Sequence, residues 1–183
     1  MNEPGSIALA APQAEGVADS DPPERLSVAI LREAGDWSAF PSCEAAIEMA
    51  TSALAGHPRC IAARGCEVTV VLGDDALVQT LNGTYRGKDG PTNVLSFLFQ
   101  APPGIAAHSV LGDIVLAAET LEKEAAAQGI PPVHHLQHLV VHGILHLLGF
   151  DHETDAQAED MERLETEILK GLGISDPHAL LNV

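Results

Sequence analysis

Three histidines lie within the run His-Gly-Ile-Leu-His-Leu-Leu-Gly-Phe-Asp-His, which spans residues 142–152. His142 and His146 are four residues apart, so on a helix they lie on one face, one turn apart. Gly149 follows where a left-handed cap would end the helix and let the chain return with His152. Three neutral imidazoles that converge in this way make an open zinc site, with a fourth position left for water. The spacing therefore predicts one zinc ion per chain, held by His142, His146 and His152, rather than buried histidines with no metal.

Gly143 occupies the position at which zinc peptidases with a His-x-x-x-His helix carry a glutamate as general base. The ligand spacing is similar to that of a metzincin, but glycine has no side chain that accepts a proton. A peptidase would need an acid from elsewhere, and Asp151 and Glu153 are the only acids near the run. A phosphodiester is a candidate substrate, because a Lewis acid stabilises its developing negative charge directly.

His138 lies on the same helical stripe, so His138 and His142 form an alternative helix pair. The pair His142 and His146 is preferred, because only these two connect through Gly149 to a third ligand. His138 is then either a helix residue beneath the site or a group that orients a ligand.

Hydrophobic patterning predicts an α/β or α+β fold, in which a small mixed β-sheet packs with helices around a central buried helix that carries the zinc-binding histidines. The predicted strands are Leu26–Leu31, Glu67–Leu72, Val94–Phe99 and Gly112–Leu116. A flexible Pro-Pro-Gly loop begins at Pro102. The predicted helices run from the N-cap Ser42 to Leu54, from the cap Asp74 to Tyr85, and over Ala118–Gln128, Val133–Leu148 and Ala156–Leu172.

The chain has 183 residues and a formal net charge of -17. Residues 1–23 are rich in Ala, Gly, Pro and acidic residues, so we expect a disordered acidic extension before a single metallohydrolase-like domain at 24–183. The net charge argues against nucleic-acid binding through the overall field. Arg59, Arg64, Arg86 and Lys88, in the middle of the chain, are candidates for a local positive surface around a site.

No secretion signal and no apolar stretch of membrane length are evident, which predicts a cytoplasmic protein without a membrane partner. The three cysteines are odd in number and irregularly spaced. Reduced thiols are therefore expected rather than a disulfide framework.

Arg86 follows a predicted helix and begins a basic, turn-rich loop. A guanidinium can bind a phosphate through two hydrogen bonds and stabilise its transition-state charge. Arg86 could equally be a surface arginine whose side chain contacts the end of the helix. The residues alone leave both interpretations open.

Taken together, the segments Leu-Asn…Tyr-Arg-Gly-Lys-Asp…Pro-Thr-Asn-Val-Leu-Ser-Phe, Leu-Gly-Asp-Ile and His-Gly-x-Leu-His-Leu-Leu-Gly-x-Asp-His resemble the YbeY family of bacterial endoribonucleases. The likeness runs from about Leu26 to Leu172; Leu98 stands where many members have proline, and Phe150 where many have tyrosine.

The resemblance implies a zinc-dependent, single-strand-specific endoribonuclease that matures ribosomal RNA, notably the 3′ end of the small-subunit RNA, and acts in ribosome quality control. It also implies the zinc ligands His142, His146 and His152, a functional Arg86, and single-stranded or ribosomal RNA and the ribosome as partners. No general base is evident, and water, a metal hydroxide or the RNA 2′-hydroxyl could serve. Two alternatives are a zinc-stabilised ribosome-assembly factor with little catalysis and a metzincin-like peptidase that lacks the usual glutamate.

Overall fold

The computed structural model describes residues 25–100 and 110–178. The predicted extension at 1–23 and the predicted Pro-Pro-Gly loop lie outside these ranges. The strands are β1 (Ser27–Arg32), β2 (Glu67–Gly73), β3 (Val94–Leu98) and β4 (Val110–Ala117). The α-helices are α1 (Cys43–Gly56), α2 (Asp75–Arg86), α3 (Ala118–Gln128), α4 (Pro132–Leu147) and α5 (Asp155–Lys170), and a short 3₁₀ helix covers Pro58–Ala63.

The strands form one mixed sheet in the order β1-β2-β4-β3. The pairs β1–β2 and β2–β4 are parallel, whereas the edge strand β3 is antiparallel to β4, with Ser96 opposite Ile114. The predicted mixed α+β fold is therefore confirmed.

Each face of the sheet carries its own apolar cluster, because side chains alternate along a strand. The larger cluster joins one face to α1, α3, α4 and α5, and its buried strand residues are Val68, Val70, Leu72, Ile114 and Leu116. The smaller cluster joins the other face to α2, and it contains Val71, Val78, Leu81, Leu95, Phe97 and Val115.

Helix α4 is the central buried helix that the apolar pattern predicts. Its apolar residues are buried almost all round, including Leu136, Val140, Ile144 and Leu145. A helix of this kind is stable only inside a core, so the chain places its histidines on a rigid element.

The predicted bounds of the helices and strands agree with the structure to within two residues. Asp74 caps α2, since its carboxylate accepts a hydrogen bond of 2.8 Å from the Leu77 amide. Ser42 is at the N-cap of α1, but its side chain makes no capping bond, and its φ of 56° is left-handed. The 3₁₀ helix is not among the elements predicted from the sequence. Within the described ranges, no helix combines the length and the hydropathy that crossing a membrane requires.

Candidate metal centre

The end of α4 is a complete Schellman motif. The Gly149 amide donates to the His146 carbonyl at 3.0 Å, and the Phe150 amide donates to the Leu145 carbonyl at 3.0 Å. Gly149 has a φ of +89°, which confirms the predicted left-handed cap. The chain reverses over these residues and returns His152 toward α4.

His142, His146 and His152 come together as the sequence predicts. One nitrogen of each imidazole lies within 4.8 Å of a nitrogen of each of the others. The His142 and His146 Nε2 atoms are 3.0 Å apart, and the His152 ring centroid lies 5.0 Å from that of His146. His152 is exposed, so the group opens to solvent on one side.

The protons on two of these rings are fixed by acceptors. His142 Nδ1 lies 2.7 Å from a carboxylate oxygen of Glu165, and His146 Nδ1 lies 3.1 Å from the Phe150 carbonyl oxygen. Both partners only accept, so a proton lies on each Nδ1, and when both rings are neutral each Nε2 presents a lone pair. Two lone pairs that face each other at 3.0 Å repel unless a cation lies between them. The donor set therefore fits a divalent metal ion of borderline character.

The surroundings of His146 favour its neutral form. Burial lowers the pKa of His146, and positive charge on His142 and His152 would lower it further. A ring that resists protonation keeps its lone pair available for a metal.

Glu165 is the residue of the site that the sequence reasoning missed. It lies on α5, its side chain is 1% exposed, and it accepts hydrogen bonds from the rings of His138, His142 and His178. Burial alone would raise the pKa of this carboxyl, but these hydrogen bonds outweigh it and hold the pKa well below its ordinary range.

The expectation that Asp151 and Glu153 are the only acids near the histidines is therefore wrong. Asp151 uses a carboxylate oxygen to accept from the His152 amide at 2.8 Å, and Glu153 is exposed. Glu165 instead orients His142, in the pattern of a carboxylate that fixes a ligating imidazole.

Gly143 faces the sheet rather than the three histidines. A Cβ atom there would lie 3.0 Å from Ile114 Cδ1 and 3.1 Å from Ser96 Oγ. The Ser96 hydroxyl also donates to the Gly143 carbonyl at 3.3 Å. The side chain of a glutamate at this position would clash with the sheet, so α4 leaves no room at residue 143 for the base of a peptidase.

The structure does not place Arg86 beside the three clustered histidines. It lines a groove of about 660 Å³ on the face of the sheet that packs against α2, together with Tyr85, Phe97 and Asp113. The groove also includes Ser96, which contacts Gly143 beside His142. The groove therefore reaches past the edge strand β3 toward α4, which carries His142 and His146.

Arg86 is exposed, and none of the described residues forms an ion pair or a hydrogen bond with its guanidinium. Of the other three basic residues proposed for a positive surface, two are engaged elsewhere. Arg59 binds both carboxylate oxygens of Asp160, at 3.0 and 2.6 Å, and Arg64 donates to the Ala55 carbonyl at 3.1 Å. Arg86 is thus available for an anion where Arg59 and Arg64 are not.

The family model described as endoribonuclease YbeY matches residues 39–173. The chain belongs to this family. A protein named endoribonuclease YbeY from Azorhizobium caulinodans is 48% identical over 85% of this chain and 98% of its own length. A protein of the same name from Rhodopseudomonas palustris is 50% identical over 82% of this chain and 90% of its own length. A solution structure from Thermotoga maritima aligns with a TM-score of 0.47 and 24% identity over 82% of this chain and 97% of that chain.

The match to the YbeY family includes the three clustered histidines, Arg86 and Glu165. It ends at residue 173, so His178 lies outside it. The resemblance stated from sequence motifs is confirmed.

Proposed function

We propose that this protein is a metal-dependent endoribonuclease that cleaves single-stranded RNA. One observation carries the proposal: in a member of the YbeY family, three imidazoles converge at the end of a buried helix and leave one side open to solvent. A structural zinc ion usually has four protein ligands, whereas three ligands and an open position are typical of catalysis.

His142, His146 and His152 would hold the ion. When bound, a divalent ion supplies Lewis acidity, which stabilises the negative charge that develops on a phosphate and lowers the pKa of a bound water. Glu165 holds the Nδ1 proton of His142, and the Phe150 carbonyl holds that of His146, so both rings keep one orientation. We propose zinc as the ion, because three neutral imidazoles suit it.

Arg86 would bind the phosphate of the substrate or its neighbour. Its guanidinium is exposed and unpaired within the described ranges, and it lies in the groove that leads past Ser96. Tyr85 is 68% exposed and stacks edge-on against Phe97 at 5.2 Å, so it offers a surface for a base beside the arginine. An RNA strand that bends around the β3 edge would contact Arg86 on one face and the metal centre on the other.

Ribosomal RNA, in particular the 3′ end of the small-subunit RNA, is the substrate that we propose within this activity, with the ribosome as partner. The family resemblance supports this choice. The acidic net charge favours recruitment through protein contacts in addition to RNA contacts. The cytoplasmic location stays a prediction.

The experiment that tests the activity is cleavage of an end-labelled single-stranded RNA by the purified protein and by His146→Ala. His134→Ala is the matched control, because it removes a histidine from the same helix outside the ligand group. Circular dichroism checks that all three proteins fold.

We expect cleavage by the parent and by His134→Ala, and none by His146→Ala. Equal cleavage by the parent and His146→Ala would reveal a contaminating ribonuclease and remove the support for a metal-centred nuclease. No cleavage by the folded, metal-loaded parent on free RNA or on ribosomes would refute the proposed activity.

A further inference from the structure

The two oxygens of the Glu165 carboxylate serve two different groups of histidines. Oε1 faces His142 Nδ1 and so belongs to the metal centre already described. Oε2 lies 2.7 Å from His178 Nε2 and 3.3 Å from His138 Nε2. These three atoms form a second group that is compact enough to hold an ion.

We propose that His138, Glu165 and His178 form a second divalent-metal site, joined to the first through the shared carboxylate. The proposal goes beyond the proposed function, since neither RNA cleavage nor the first centre requires it. It rests on three observations: the spacing of the donor atoms, the cavity beside them, and an unpaired nitrogen in the wall of that cavity.

The spacing of one donor pair, His138 and Glu165, fits ligands of one ion. Hydrogen bonds from an imidazole to a carboxylate are about 2.7–2.9 Å long, and the His138–Glu165 separation of 3.3 Å is longer. Donors bound to one tetrahedral ion at about 2.0–2.1 Å lie about 3.3 Å apart. His178 Nε2 lies 2.7 Å from Glu165 Oε2, the length of a direct hydrogen bond, so an ion that binds here would replace the proton between these two atoms.

A cavity of about 270 Å³ lies beside this group, and His135, His138, His142 and His178 line it. The cavity has room for water molecules that complete the coordination of an ion. His135 is 3% exposed; one ring nitrogen, Nε2, lies 2.7 Å from Glu124, while its Nδ1 is buried without a hydrogen-bond partner in the described structure. A water bound to an ion in this cavity would supply the donor that Nδ1 lacks.

The donor types indicate which ions would bind. Two imidazoles and one carboxylate suit zinc, cobalt or nickel, whereas magnesium and calcium prefer sites made only of oxygen atoms. Because Glu165 also orients His142, an ion on Oε2 would fix the carboxylate that holds a ligand of the first centre. It would also tie the segment after α5, which carries His178, to α4.

The test is metal stoichiometry of the untagged, full-length protein, measured by cobalt titration with visible absorption and by elemental analysis after zinc loading. We expect two ions per chain in the parent, and one each in His178→Ala and in His146→Ala. The double variant should bind none. His134→Ala is the matched control and should bind two ions, since His134 belongs to neither group.

Two further variants separate the second site from a folding defect. His138→Gln removes a ligand by a second route and should also bind one ion. Glu165→Gln keeps the shape of the side chain but should weaken binding at both sites, by about 10- to 100-fold at the first, where Glu165 acts through His142. A parent that binds one ion, or a folded His178→Ala that still binds two, would overturn the proposal. Either result leaves the nuclease activity to be judged by RNA cleavage alone.

Discussion

The three clustered histidines are held by acceptors from two parts of the chain, α5 and the turn after α4. Glu165 lies on α5 and accepts from His142. In the turn after α4, the Phe150 carbonyl accepts from His146, and the Asp151 carboxylate accepts from the backbone amide of His152. Glu165 and the Phe150 carbonyl each fix the proton position of an imidazole, whereas Asp151 fixes only the backbone of His152. The rings of His142 and His146 are therefore held in one orientation.

Arg86→Glu should abolish RNA cleavage and leave the metal content unchanged. The substitution replaces a cation in the groove with an anion that repels phosphate, and a single lost contact of this type costs about 10²–10³-fold in rate. Cleavage assays and elemental analysis on the same preparation measure both quantities. Lys123→Glu, an exposed position on α3, makes the same charge change elsewhere. Loss of metal in Arg86→Glu alone would mean that Arg86 supports the fold rather than the substrate.

The three clustered histidines could be predicted because their spacing is local, within one helix and its cap. Glu165 and His178 could not be predicted in this way, because the packing of α5 and the following segment against α4 brings them in. One signal was present in the sequence. Glu165 lies among Met161, Leu164, Ile168 and Leu169 on the buried face of an amphipathic helix, where a carboxylate needs partners.

The turn after α4 converts a helical pair of histidines into a group of three. Its Schellman bonds set the direction in which the chain leaves the helix. The Phe150 side chain then packs against the larger apolar cluster. The Arg59 guanidinium lies 5.3 Å above the Phe150 ring and also binds Asp160 on α5. The turn is thereby tied to α5 as well as to α4.

Gly149→Ala should weaken metal binding as well as stability. A side chain at a φ of +89° is strained although the space is open, and the cost is about 1–2 kcal/mol. Relief of that strain would move the turn and with it His152. Urea unfolding of the metal-free protein and a metal titration measure the two effects.

Gly129→Ala provides the matched control. Gly129 ends α3 with a φ of +67° and also has open space around it, but it does not belong to the turn that positions His152. It should lose comparable stability and keep the parent metal affinity. If both variants lost metal affinity equally, the turn after α4 would have no special role in positioning His152.

The relation between Arg86 and the histidines depends on the strand order, which the sequence patterns do not determine. Each predicted strand and helix has its own local signal, so their bounds were predicted to within two residues. The order β1-β2-β4-β3 instead depends on pairings between distant segments. Helices α2 and α4 pack on opposite faces of the sheet, so Arg86 and the candidate metal centre lie on opposite faces too. Because β3 is the edge strand, the path between them runs around that edge.

Metal removal should leave the fold intact. The three histidines that would hold the ion come from α4 and the turn after it, whereas the larger apolar cluster joins the sheet to four helices without them. A metal present at 100 times its Kd contributes about 2.7 kcal/mol per site, which corresponds to a fall in Tm of about 5–11 °C on chelation for a domain of this size. Far-UV circular dichroism at 25 °C should not change. If the protein were instead a zinc-stabilised assembly factor, a chelator alone would unfold the domain. Such unfolding would mean that the ion is needed for the fold and would argue against a purely catalytic role.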